Sequence, residues 1–417
     1  MQKFSGFEYL LIDVANQAGH DKLRYQERID WSLDNIERLE EIAENDNWKE
    51  RPLYITAVKA LRKAQRGEST GHLVGFDAAA SGMQIMSAIT GCESGAWATG
   101  LVHPDMRADA YGICSKLMTD HLGFEIPNQR NNIKNAAMTV LYGSQAEPKK
   151  EFGEDTPELQ AFYKAMYQMA PGACDLLQAL LQSWDATTLA HEWKLPDGFD
   201  VVVKVMDDRE SRIRVEELNN ASFTYQWKEN TPINHDCKNA ANVVHSLDAY
   251  LLRSVIRRCS YDSTLFRWTN RAITEELLLR EMGHAIQEDR YGYADEKLHY
   301  YIKQYNRSTV VDVVILQHLN AETVCCLSTE HLRSLNHITE TCLEHKPFDV
   351  VTVHDDFKCH PNNMNYLRKH YRNILAELAG SNVLDDLLTQ LFKTPTHFPK
   401  KSTTLSDKIK NSNYAIC

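Results

Sequence analysis

The sequence predicts a mixed α/β (α+β) fold, with short strands ending on acidic residues set among long helices. Three observations predict it. β-branched runs stop abruptly on aspartates in "HLVGFD" (72–77) and in "FDVVTVHDD" (348–356). Several longer segments instead repeat apolar residues at helical spacing. Finally, 417 residues of which 43% are hydrophobic supply a core large enough for two or three domains.

Each element has its own local reason. Residues 26–45, "QERIDWSLDNIERLEEIAEN", place Ile29, Trp31 or Leu33, Ile36, Leu39 and Ile42 on one side and acids and arginines on the other. This spacing predicts one helix with a solvated face. "RPLYITAVKALRKAQ" (51–65) predicts a second helix, and 72–77 a short buried strand ending on Asp77. "RNNIKNAAMTVLYGS" (130–144) predicts a third helix, and 158–185 is helical apart from the Pro171-Gly172 break. Within 196–227, "FDVVVKV" and "SRIRVEEL" read as two strands of one hairpin. Residues 239–258 predict a long helix. The stretch 260–345 is polar and mixed and reveals no clear order. The strand "FDVVTV" leads into His354, and the tail "KKSTTLSDKIKNSNYAIC" reads as irregular.

Composition narrows the function. The net charge is −11, from 46 Lys and Arg against 57 Asp and Glu. That argues against a protein gripping nucleic acid over a broad surface, yet permits a basic cleft inside an acidic shell. No apolar stretch reaches the length of a membrane span. "MQKFSGFEYLLIDVANQ" lacks the apolar core and small-residue cleavage site of a secretory leader. Ten cysteines without a C-x-x-C pair fit reduced thiols in a cytoplasm better than a disulfide frame or a zinc site.

Asp77 and Asp355 each end a short strand, which alone is ordinary turn chemistry. Brought together in one cleft, two carboxylates repel unless a cation lies between them. Mg²⁺ is the natural choice, because it is hard, prefers oxygen and keeps waters for a substrate phosphate. Two such ions would serve in-line phosphoryl transfer. In the 130–144 helix, Arg130, Lys134, Met138 and Tyr142 recur every four residues and so share a face. That face runs from two cations to a Met and a Tyr over about 18 Å, the length of a nucleotide. The plain alternative is an amphipathic helix with a basic edge. Met83 and Met138 are expected in the core.

These segments carry a resemblance. "DAAASGMQ" (77–84), the Arg130/Lys134/Met138/Tyr142-Gly143 helix and "VHDDF" (353–357) resemble, in order, motifs A, B and C of the single-subunit DNA-dependent RNA polymerases of bacteriophages and mitochondria. "ANQAGHDKLRYQERIDW" (15–31) resembles the segment entering the palm in that family. "ADAYGICSKLM" (108–118) resembles its D-x-Y-G segment, "NVVHSLDAYLLR" (242–253) its V-H-S-x-D helix, and "NSNYAIC" its C-terminal foot. The resemblance covers most of 10–255 and 346–417.

The resemblance implies a right-hand polymerase with an antiparallel palm and mostly helical fingers. Its parts would be a palm-entering segment (1–76), palm with motif A (77–107), fingers (108–240), a palm/fingers helix (241–259), an insertion or specificity-loop region (260–345), and palm with motif C and foot (346–417). Asp77 and Asp355 would hold two Mg²⁺ ions, with the Ala78 carbonyl as an extra ligand. Lys22, Arg130 and Lys134 would neutralise the triphosphate of an NTP, with Lys134 beside the leaving pyrophosphate. Tyr142 and His245 would sense the ribose 2′-hydroxyl, Tyr111 would sit beside nucleotide and template, and His354 would orient the RNA primer end. Asp356 and Cys417 receive no role.

Relative to the family, a thumb and N-terminal region are expected to be missing and to come from a second polypeptide in a split, heterodimeric phage enzyme in the host-cell cytoplasm. DNA template and RNA product complete the expected partners. One rival reading is a DNA polymerase of the bacterial repair type. "SGMQ" and Met138-Thr139 oppose it, standing where such enzymes place an acid-bearing pattern and an aromatic. The other rival is a non-catalytic subunit of a transcription complex.

Overall fold

A computed structural model describes residues 1–44, 51–103, 105–283 and 294–417. Among them, seven strands form three small antiparallel sheets, and the remaining regular structure is helical. The central sheet joins β1 (Val74–Asp77) to two late strands, β6 (Val351–Val353) and β7 (Asp356–Cys359), in the order β1-β7-β6. Its register pairs Val74 with Cys359, Phe76 with Phe357 and Asp77 with Asp356. Side chains alternate faces along a strand. Val74, Phe76, Phe357 and Cys359 are therefore buried together, and Asp77 is left on the open face. Phe76 lies 5.8 Å from Tyr9 and 5.6 Å from Tyr25, while Phe357 meets Tyr371 edge-on at 5.3 Å. A one-residue slip would bury the aspartate, so these rings set the register.

Helices Gly6–Ala15, Ser81–Ile89, Lys238–Cys259 and Met364–Gly380 share one large core with the central sheet. Arg258, fully buried near the end of its helix, forks onto Glu377 at 2.8 and 2.6 Å and ties Lys238–Cys259 to Met364–Gly380. Gln84 is also fully buried. It donates to the carbonyls of Thr99 and Ala415 and accepts from the Tyr371 hydroxyl at 2.6 Å. Both amide N–H groups and the amide oxygen therefore have a partner, as a buried amide requires.

Several expectations need correction. The helix expected over 26–45 is broken: Tyr25–Asp34 ends at Asn35, whose side chain caps the Trp31 carbonyl at 2.8 Å, and a 3-10 turn and Leu39–Ile42 follow. "FDVVVKV" and "SRIRVEEL" do not pair with each other. β3 (Asp200–Lys204) pairs back with β2 (Ala190–Lys194), and β4 (Asp207–Val215) pairs forward with β5 (Ala221–Glu229). The first turn carries Pro196-Asp197-Gly198, with Gly198 at φ 82°. The second carries Asn219 and Asn220, both at positive φ. Both are recognisable turn chemistry.

The end of the tail is ordered by pairing. Ile416 bridges Ala78 antiparallel, Cys417 N–H donates to the Asp77 carbonyl at 3.1 Å, and Tyr414 stacks on Tyr25 at 4.7 Å. The stretch 260–345 holds helices Ser263–Glu281, Glu296–Ser308 and Thr329–Leu343 with a core of their own. Helices Arg51–Gln65, Pro157–Met169, Pro171–Gln182 and Lys238–Cys259 agree with the spacing that predicted them.

Candidate active site

β1 delivers Asp77 to one wall of a cavity of about 1160 Å³. The opposite strands deliver His354 and Asp355, which form the two-residue turn between β6 and β7. His354 sits at φ 56°, in the left-handed region that a short hairpin turn demands at its first position. Non-glycine residues enter this region at a cost. The adjacent aspartates then diverge. Asp355 lines the cavity, while Asp356 lies over Gly75 and pairs with Lys358 at 3.1 Å. A side chain at Gly75 would come within 2.6 Å of the Asp356 carboxylate, which would have to shift to admit it.

The helix Gln129–Val140 forms another wall with Arg130, Lys134 and Met138. Tyr142 also lines the cavity, but from the turn just past the helix end rather than from the helix itself. Met138 is 55% exposed at this wall and is not a core residue as expected, whereas Met83 is buried. Arg130 forks onto Asp109 at 2.9 and 2.8 Å and lies over the Tyr111 ring at 5.9 Å. Lys22 and Lys134 line the cavity with no acid partner among the described residues. Tyr142 and His245 meet with ring centroids 4.8 Å apart. A side chain at Gly82 would collide with the Tyr142 hydroxyl, so Gly82 makes room for it.

Electrostatics divide the cavity into two ends. Arg130, Lys134 and Lys22 make one end basic. At the other, surrounding protein and then Asp355 and Asp356 push the Asp77 pKa up to about 6. Burial and then Asp355 push Asp248 up to about 6 as well. Burial, then Asp248 and Asp355, push Tyr142 up to about 12, so its phenol remains a neutral donor at working pH.

This donor set suits a hard cation. The Asp77 and Asp355 carboxylates face one cavity, and the charge of Asp355 disfavours ionisation of Asp77. No group of three or more His, Cys, Asp or Glu among the described residues forms a ready-made metal cage. Mg²⁺ is commonly held by one or two carboxylates, with waters and substrate phosphates supplying the rest.

The structure thus brings Lys22, Asp77, Ala78, Tyr111, Arg130, Lys134, Tyr142, His245, His354 and Asp355 to one cavity. It adds Asp21, Arg107 and Asp248, which sequence reasoning did not single out. Asp248 was legible in principle. It lies three residues after His245 on one helix, and such a pair shares a face. Arg107 carried no such signal.

Residues 3–152 match the sequence profile of the family described as DNA-dependent RNA polymerase. The chain is 26% identical over 164 residues to a mitochondrial DNA-directed RNA polymerase of Neurospora crassa, a match covering 33% of this chain and 12% of that protein. It therefore spans about an eighth of the length of that relative. Among the described residues no helix is long and apolar enough to cross a membrane.

Proposed function

We propose that the chain, whose residues 3–152 match the DNA-dependent RNA polymerase family, catalyses DNA-templated RNA synthesis at the Asp77–Asp355 cavity. The observation that carries the reading is the convergence there of two strand-tip carboxylates, three cations and a tyrosine–histidine pair drawn from remote parts of the chain.

In this reading the RNA 3′-hydroxyl attacks the α-phosphorus of an NTP. The hydroxyl gives up its proton to solvent water, a new P–O bond forms, the α–β anhydride bond breaks, and pyrophosphate leaves with the bonding electrons. Asp77 and Asp355, with the Ala78 carbonyl, would hold two Mg²⁺ ions, which when bound neutralise charge on the attacking and leaving oxygens. Lys22, Arg130 and Lys134 bind the triphosphate, and Lys134 gives a proton to the departing pyrophosphate. Tyr142 donates to the ribose 2′-hydroxyl, and His245 holds the Tyr142 ring. His354 orients the primer end, and Tyr111 and the exposed Met138 face the base and template. Catalysis then rests on positioning and charge neutralisation.

Grip on nucleic acid needs further surface. The β4–β5 ribbon is exposed on both faces. One face carries Trp227, Tyr225, Ile213 and Phe223, and the other Arg212 and Arg214. Tyr225 and Trp227 stack at 5.5 Å. We assign this ribbon, rather than the helical 260–345 module, to nucleic-acid contact, since a two-stranded ribbon fits a major groove and exposed rings stack on bases. The acidic balance of the chain supports a more basic second polypeptide that completes the grip, as in a split phage enzyme working in its host's cytoplasm.

Tandem-affinity purification from cells expressing the neighbouring genes, followed by primer extension on a DNA template, tests the reading. Template-dependent incorporation of ribonucleotides by the purified material is the expected result. Incorporation of deoxyribonucleotides alone would point to a DNA polymerase, and an inert complex to a non-catalytic subunit.

A further inference from the structure

We propose that Arg107 is a positioning residue for Lys22: it clasps the turn that carries this lysine and so fixes the ammonium at the phosphate end of the cavity. The inference rests on the nucleotide-binding reading of the same cavity.

The turn needs such a clasp. Lys22 lies in the His20–Leu23 turn, closed by the Leu23 N–H to the His20 carbonyl at 3.0 Å, just after an irregular π-type segment, Asn16–His20, which has Gly19 at φ 87° and buries no side chain fully. Ala18 packs on the core and the His20 ring meets Trp31 at 4.3 Å, and side-chain hydrogen bonds hold the residues that follow. From the core side, fully buried Arg28 donates to the Leu23 carbonyl at 2.9 Å, to the Asp21 carbonyl at 2.5 Å and to the Asn16 side chain at 2.9 Å. From the cavity side, Arg107 Nη1 donates to the same Asp21 carbonyl and to Asp21 Oδ2 at 2.9 Å. Two guanidinium groups thus fix the residue immediately before Lys22.

Lys22 itself makes no hydrogen bond or ion pair among the described residues and lines the cavity. A long flexible lysine loses rotamer freedom whenever it binds, and a fixed base reduces how much is lost. The loop that supplies Arg107 also supplies Asp109, which forks onto Arg130. One short loop therefore spaces two phosphate-binding cations, Lys22 through Arg107 and Arg130 through Asp109. Arg107 acts through Asp21, and no contact of its own with nucleotide is needed.

The test is the dissociation constant of Mg·NTP from the full chain, with any co-purifying partner, across a mutant cycle. Lys22→Ala should weaken binding about tenfold, the scale of one charge-assisted hydrogen bond. Arg107→Ala should weaken it severalfold at an unchanged melting temperature. The Arg107→Ala/Lys22→Ala double variant should be no worse than Lys22→Ala alone, because coupled residues are not additive. Asp21→Asn, which keeps the shape and removes the charge, should reproduce part of the Arg107→Ala loss and stands in for it if Arg107→Ala fails to fold. Multiplying losses in the double variant would overturn the proposal, since Arg107 would then contact nucleotide itself. Full affinity in Arg107→Ala and Asp21→Asn alongside a loss in Lys22→Ala would also overturn it. Full affinity in Lys22→Ala would instead overturn the nucleotide-binding reading on which the proposal rests.

Discussion

Single residues in the cavity make separable predictions. Tyr142→Phe keeps the ring against His245 and Gly82 but deletes the hydroxyl. Discrimination between ribo- and deoxyribonucleotides should relax by more than chain growth slows, because a site built to bond a hydroxyl strongly rejects substrates lacking it. Competition assays measure this, and unchanged selectivity would move sugar recognition to His245. A second prediction follows from Asp77 and Asp248, each held near pKa 6 instead of the ordinary 3.8. A raised carboxyl pKa means that the folded state binds more protons than the unfolded state between those values. Without divalent cation, these groups therefore cost stability as pH rises from about 4 to 6. Mg²⁺ favours the ionised form, so it should raise the melting temperature more at pH 7.5 than at pH 5, and Asp77→Asn should shrink that gain. A melting temperature indifferent to Mg²⁺ at pH 7.5 would count against the metal assignment. At this scale much was legible. Asp77, Asp355, Lys134 and Tyr142 stand at strand ends or at helical spacing, and both patterns are visible in the chain. Arg107 and Asp21 were not, because their pairing joins residues 86 positions apart.

Among the elements, the helix Lys238–Cys259 carries His245 and Asp248 into the cavity and is fastened at its far end by Arg258. Glu377→Ala would leave that guanidinium buried and unpaired, which should cost about 3–5 kcal/mol of stability in chemical denaturation. A loss below about 1 kcal/mol would show the helix is held otherwise. The β4–β5 ribbon predicts the opposite behaviour. Arg212→Ala/Arg214→Ala should leave the melting temperature intact while lowering the salt dependence of DNA binding by up to about two units of slope. An unchanged slope would remove the ribbon from the interface. Helices with clean periodicity were legible to within a residue or two, as Arg51–Gln65 shows. Strand pairing was less so. β3 and β4 are separated by only two residues, and the choice of partner lay in the Pro196-Asp197-Gly198 and Asn219-Asn220 turns rather than in the strands.

At the scale of the whole molecule, the sheet is built from strands nearly 280 residues apart, so the cavity exists only once the chain is folded. Mixed architecture was legible from the alternation of acid-tipped strands and helices. The separate core of 260–345 was not, because buried Val313, Ile315 and Leu316 lie in a 3-10 segment with neither helical nor strand period. The central claim is that Asp77 and Asp355 together make a nucleotidyl-transfer centre. The most direct measurement compares templated ribonucleotide incorporation by the wild-type complex with that of Asp77→Asn and Asp355→Asn complexes, each checked for unchanged melting and assembly. The account predicts that each substitution lowers incorporation by about a hundredfold or more while template binding persists. Substantial incorporation by either folded variant, above about a tenth of the wild-type rate, would contradict it.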